Sequence, residues 1–175
     1  FLLDAKSGKV NHLLRPQSEG KIDVNGQAID GNKIFFANEN GKAFCYDFSG
    51  KQLWQANIDG EVENSPALAD LNADGTKDAV FTTDLAKIYA LDGKTGTLIW
   101  QSSLERDQYG NSYFMATPLC YDLTEDGTAD VIVASGGSGG IHALNGNDGK
   151  KLWSYENASG VHASPVILDE DGGLI

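Results

Sequence analysis

The stretch "ALDGKTGTLIW", Ala90–Trp100, puts a tryptophan eight residues after Asp92. The same spacing returns in "HALNGNDGKKLW", where Trp153 follows Asn145 by eight. "FCYDFSGKQLW", Phe44–Trp54, is a third copy, and "FLLDAKSGKVNH", Phe1–His12, is a fourth with His12 in the tryptophan place. Self-similarity at such a distance is the mark of a repeat architecture. Trp54 and Trp100 are 46 residues apart, enough for four short strands and their turns.

A second element alternates with the first. "SPALADLNADGTKDAVF", Ser65–Phe81, aligns with "TPLCYDLTEDGTADVIV", Thr117–Val133, and "SPVILDEDGGLI", Ser164–Ile175, begins alike. In the best copy the spacing predicts strands at Ser65–Ala69, Ala79–Thr83, Lys87–Leu91 and Thr97–Gln101. Runs such as "DVIVAS" and "KIYAL" are nearly all apolar, as in sheets covered on both faces. The turns are rich in Gly and Asp, as hairpins require. Four-stranded units that stack on one another make an all-β propeller of antiparallel blades. The chain divides into 1–14 as the end of one blade, 21–56 as a degenerate blade, 62–102 and 114–155 as full blades, and 161–175 as the start of the next. That is about four blades' worth, and a piece of a larger ring is expected.

Composition narrows the partners. The 175 residues carry a net charge of −12. Such a surface repels nucleic acid and anionic lipid. No run approaches the roughly 18 apolar residues of a membrane-spanning helix. Two cysteines make neither a disulfide framework nor a zinc site. Cys45 aligns with Ala90 and Ala143 in a small packing slot, and Cys120 aligns with Leu68 and Ile167 in the core. His12, His142 and His162 are scattered and spell no catalytic cluster.

The acidic loops carry the clearest chemistry. Asp70, Asn72, Asp74, Thr76 and Asp78 stand at alternate positions, with Gly75 at the turn. These are the first nine positions of an EF-hand-like loop, in which position seven gives its carbonyl. Hard oxygens at this spacing suit Ca2+. A cation would also cancel the repulsion among the carboxylates. Asp122, Thr124, Asp126, Thr128 and Asp130 repeat the pattern around Gly127, with Thr124 as a poorer donor. Asp169 and Asp171 depart from it. The bland alternative at each loop is an Asp/Asn/Gly turn used for its geometry alone.

"ALDGKTGTLIW" resembles the tryptophan-docking motif of quinoprotein (PQQ)-like β-propeller repeats. The resemblance implies that Trp54, Trp100 and Trp153 tie neighbouring blades together. "DLNADGTKDAVF" resembles the FG-GAP repeats of integrin α-subunits and bacterial surface proteins, whose loops hold calcium. Together the two resemblances span almost the whole chain.

The functional expectation is a calcium-stabilised propeller, extracellular, cell-surface or periplasmic, acting as a binding or scaffold module. Its ligand would be a protein or a carbohydrate on one face, and its missing blades would come from the rest of the chain or another copy. The connection Leu104–Met115 carries six extra residues and lies on the face opposite the acidic loops. Tyr109, Tyr113 and Phe114 in it could stack on a ligand. "SGGSGG", Ser135–Gly140, reads as a flexible hairpin turn, not a phosphate loop. The rival is an enzyme: a quinone-dependent dehydrogenase or a calcium-dependent polysaccharide lyase. Neither rival is given a base or cofactor ligand by the sequence, so binding is preferred.

Overall fold

A computed structural model describes residues 2–12, 24–104, 113–137, 139–156 and 160–168. Alternating apolar runs and Gly-rich turns fold as expected into hairpins. A two-stranded hairpin comes first, β1 (Leu2–Leu3) with β2 (Val10–His12). Three four-stranded antiparallel sheets follow. The first holds β3 (Gln27–Asp30), β4 (Lys33–Ala37), β5 (Lys42–Asp47) and β6 (Gln52–Asn57). The second holds β7 (Ala67–Ala69), β8 (Asp78–Thr82), β9 (Lys87–Leu91) and β10 (Leu98–Ser103). The third holds β11 (Leu119–Tyr121), β12 (Asp130–Ala134), β13 (Gly140–Leu144) and β14 (Lys151–Glu156). Each is a meander in chain order. The first strand β7 neighbours both β3 and β11. The chain is an all-β propeller.

Among the described residues two cores lie between sheets, and a third, Ile34, Phe36, Phe44 and Tyr46, lies on the other face of the first sheet. Phe35, Cys45 and Trp54 of the first sheet meet Ala79, Phe81, Tyr89 and Leu91 of the second. Val80, Ile88, Ala90 and Trp100 of the second meet Val131, Val133 and Leu144 of the third. Alternate residues of one strand therefore serve opposite interfaces, as a pleat with a period of two dictates. β8 and β12 are buried along their whole length. Their continuous apolar runs in the sequence have this cause.

Tryptophan ties the sheets together. The Trp54 Nε1–H donates to the Gly93 carbonyl at 3.2 Å, and the Trp100 Nε1–H to that of Gly146 at 2.6 Å. Each indole lies over the glycine that closes the next sheet's last turn. A Cβ on Gly96 would sit 2.7 Å from the Trp54 ring, and one on Gly149 would sit 2.5 Å from the Trp100 ring. Both indoles are 6% exposed. Trp153 departs from the expectation. It is 44% exposed, and no sheet among the described residues packs on it.

Candidate metal loops and binding face

The two acidic loops share one backbone. The fourth position is left-handed in both, Ala73 at φ 58° and Glu125 at φ 57°. The sixth is glycine in both, Gly75 at φ 81° and Gly127 at φ 90°. Carboxylates fold the loop by accepting amides. Asp70 accepts from the N–H of Asp74 at 3.1 Å and of Gly75 at 2.9 Å. Asp122 accepts from Asp126 and Gly127 at the same distances. Asp74 and Asp126 each accept the N–H two residues on, at 2.8 Å. Each carboxylate oxygen keeps a second lone pair. The loops are thus held in shape with oxygen donors facing solvent at Asp74 and Asp126.

Asp78 and Asp130 behave differently from the other acids. Both are fully buried. Asp78 accepts from the Leu71 N–H at 2.8 Å and the Gly93 N–H at 2.9 Å. Asp130 accepts from Leu123, Thr124 and Gly146. They are struts that fasten the acidic loop to the last turn of the same sheet. Gly93 and Gly146 must be glycine for this approach, since a Cβ would fall within 2 Å of the Lys77 and Ala129 carbonyl oxygens. Desolvation by burial raises the Asp78 pKa above its ordinary value. The Gly93 and Leu71 amides act against that shift, and the charges of Asp92 and Asp74 add to it.

A side-chain bridge makes the same link at the surface. The Asn72 amide donates to Asp92 at 3.0 Å, and that of Asn147 to Asp126 at 3.1 Å. Asp92 is pushed up by burial, yet its pKa falls overall because Thr95, Lys94 and Asn72 donate to it. Among the described residues no three His, Cys, Asp or Glu side chains gather as a ready cation cage. The sequence offered one sign of the strut role. In both copies the last loop aspartate is followed further on by an Asp-Gly or Asn-Gly pair, Asp92–Gly93 after Asp78 and Asn145–Gly146 after Asp130.

On the opposite face a cleft of about 600 Å³ opens between the first two blades. Glu39, Asp59, Glu61 and Asp84 wall it, with Lys87 and Leu85. Lys87 pairs with Asp59 at 2.5 Å, and Asp84 accepts the Glu61 N–H at 2.7 Å. No motif in the sequence announced this cleft, because its walls come from three separate connections.

The expected aromatic platform on this face is corrected in part. Phe114 is 1% exposed and belongs to the core between the second and third sheets. It seals a blade edge and offers no ligand surface. Tyr113 is half-buried, with its ring centre 6.0 Å from that of His162. Tyr109 lies outside the described residues, as do Asp169 and Asp171. Gly136 is closely packed: a Cβ there would meet the Tyr113 ring at 2.6 Å. Ser135 contacts His142 at 3.3 Å but is 1% exposed and accepts the Gly140 N–H. A buried hydroxyl so engaged cannot reach a substrate. Cys45 and Cys120 are both free thiols.

Comparisons with known proteins agree with this architecture. Residues 3–166 match the PQQ_2 family model, described as outer membrane protein assembly factor BamB. No curated protein sequence matches the chain. Among solved structures, BamB from Moraxella catarrhalis is similar at 22% identity and a TM-score of 0.59, over 74% of this chain and 37% of that one. Quinohemoprotein alcohol dehydrogenase from Comamonas testosteroni is similar at 17% identity and 0.59, over 85% of this chain and 22% of that one. The computationally designed Ika4 protein gives 16% identity and 0.64, over 95% of this chain and 97% of that one. The chain thus spans well under half the length of both natural structures. With repeats, tryptophan docking and the match to residues 3–166 in agreement, the chain belongs to the BamB-like PQQ_2 family of β-propellers.

Proposed function

We propose that this chain is a periplasmic or extracellular binding scaffold, stabilised by calcium, that takes a protein or carbohydrate on the face of the acidic cleft. The supporting observation is the cleft itself. Its walls stand on sheets that Trp54 locks together. Loops on a rigid scaffold are where binding resides. Among the described residues that line it, Glu39, Asp59 and Glu61 stand against one ammonium, Lys87, and favour a ligand segment bearing Lys or Arg. The assembly role named for the matched family suits a protein ligand. Among the described residues no helix is long and apolar enough to cross a membrane.

Calcium completes the reading. Asp70, Asn72, Asp74 and the Thr76 carbonyl would hold one ion, with Asp78 anchoring the loop from below. Asp122, Thr124, Asp126 and the Thr128 carbonyl would hold a second, above Asp130. The fit is one of donor chemistry, since all are hard oxygens on a preshaped turn. An ion there would offset the loop's own negative charge.

Two measurements test the proposal. Added CaCl2 should raise the melting temperature and EGTA should reverse it, with the rise halved in Asp74→Asn. A melting curve indifferent to both would remove calcium from the account. Screening Lys/Arg-rich peptides and polysaccharides should find a ligand whose binding Glu61→Lys abolishes without changing the melting temperature. Equal binding by wild type and Glu61→Lys would refute the cleft.

A further inference from the structure

We propose that the acidic cleft between the first two blades selects an arginine over a lysine in its ligand, the guanidinium displacing Lys87 from Asp59 and reaching the Thr83 hydroxyl beside Gly60. This selectivity rests on the cleft being the binding site proposed above and adds which side chain it takes. Asp59 and Gly60 belong to the connection between β6 and β7, and Thr83 and Lys87 flank the turn between β8 and β9. The two connections are fastened to each other. The Asp84 N–H donates to the Glu61 carbonyl at 3.0 Å, and the Glu61 N–H to the Asp84 carboxylate at 2.7 Å. The floor of the cleft is therefore held in place, and side chains decide what it accepts.

Lys87 is a cation already seated on this floor. Its ammonium donates to the Asp59 carboxylate at 2.5 Å, and both residues line the cleft. The Asp59 side chain is 69% exposed, so water screens the pair and little holds it against exchange. Lys87 thus marks where a ligand's cation can sit, and it competes for that place. Glu39 and Glu61 stand on the same walls and favour a second positive charge there.

A hydroxyl beside the same floor has nothing to bond. Thr83 is fully buried, and its Oγ1 has no hydrogen-bond partner among the described residues. The acceptor oxygens at the matching turns are engaged: Ser135 accepts the Gly140 N–H, and the Asn38 side-chain oxygen accepts those of Asn40 and Lys42. The Thr83 Oγ1 lies on the side of Gly60 that a side chain would occupy, 2.9 Å from the place of its Cβ. Gly60 lines the cleft, and it puts no side chain between that oxygen and the open space. A buried hydroxyl left unpaired is costly, and a donor that reaches it recovers the cost. Ammonium and guanidinium differ here. An ammonium is a compact point charge, which Lys87 already supplies. A guanidinium carries five N–H donors in a planar fork. It can pair the Asp59 carboxylate along one edge and still present an N–H to Thr83.

The test titrates the chain with hexa-arginine and hexa-lysine peptides at equal ionic strength. Hexa-arginine should bind about tenfold more tightly, the worth of one further hydrogen bond to a buried acceptor. Thr83→Val keeps the shape and removes the hydroxyl. It should erase that preference by weakening hexa-arginine alone, with the melting temperature unchanged or raised. With hexa-arginine bound, Lys87 should react faster with an amine-acetylating reagent, read by peptide mass spectrometry, because it has left Asp59. Equal affinity for the two peptides, both lost in Glu61→Lys, would overturn the arginine preference and leave the cleft as a binding site. An unchanged preference in Thr83→Val, or a Lys87 slowed by hexa-arginine, would overturn it as well. No binding of either peptide, or binding that Glu61→Lys does not diminish, would remove the cleft and the arginine preference with it.

Discussion

At the residue scale, one aspartate does two kinds of work depending on where its carboxylate points. Asp74 is exposed and folds its own turn. Asp78, four residues on, is buried and holds two strands' turns together. Asp78→Ala leaves the Leu71 and Gly93 amides buried and unpaired, and should cost about 2–5 kcal/mol in urea unfolding. Asp78→Asn must aim an N–H2 at one of those donors and should cost about 1–3 kcal/mol. Asp74→Asn keeps an oxygen for Thr76 and should change calcium-free stability by no more than about 0.5 kcal/mol. Equal costs for Asp78→Asn and Asp74→Asn would show that burial is not the deciding difference. The thiols obey the same logic. Burial pushes Cys45 and Cys120 up to about 12, which leaves almost no thiolate at neutral pH. Cys45 is also fully buried, so it should react with a thiol reagent only as the protein unfolds.

At the element scale, turns and tryptophans work as pairs across blades. The peptide of Gly93 is shared: its N–H serves Asp78 of its own blade, and its carbonyl serves Trp54 of the preceding one. Gly146 is shared in the same way by Asp130 and Trp100. Loop, last turn and neighbouring blade are therefore joined in one hydrogen-bonded chain. Trp100→Ala should cost about 3–5 kcal/mol, the range for a large buried side chain. Trp153→Ala should cost far less, because that residue is already 44% exposed. Glycine substitutions separate backbone strain from contact. Gly75 and Gly149 both have positive φ, so alanine at either costs about 1–2 kcal/mol. Only at Gly149 would the new methyl also strike an indole. Gly149→Ala should therefore lower the melting temperature clearly more than Gly75→Ala.

At the scale of the whole molecule, stability against pH follows from opposed groups. Hydrogen bonds hold Asp92 below its ordinary value despite burial, and hydrogen bonds from Ser7, Ser49 and Lys150 hold Asp4, Asp47 and Asp148 below theirs. Their contribution is complete above pH 3.8, the ordinary value, and is lost as pH falls through the lower folded values. Asp78 has the opposite sign. The folded state takes its proton first, so its penalty at neutral pH is relieved as pH falls toward 3.8. His142 is lowered from 6.5, chiefly by burial and then by Lys151. The unfolded chain takes that proton first, so stability declines as pH falls below 6.5. A melting-temperature profile should thus slope gently down below pH 6.5 and steeply only below 3.8. His142→Gln should flatten the upper slope and leave the lower one. A single steep loss beginning near neutrality would contradict these assignments.

Much of this was legible in the residues. The spacing of Asp92, Gly96 and Trp100 recurs because every blade must present the same turn to its neighbour, and a repeated physical need leaves a repeated pattern. The four-stranded units, the all-β class and the paired acidic loops were readable for that reason. Strand ends differed by one or two positions, as at β7 and β10, since pairing and not propensity ends a strand. What depends on distant chain segments left no local pattern. The cleft draws its walls from three connections, Phe114 is core because of what packs on it, and Asp78 is a strut because Gly93 comes within reach. Periodicity dictates which residues can share a face; only the folded contacts decide which of those faces is covered, which explains why two like tryptophans, Trp100 and Trp153, end in such different surroundings.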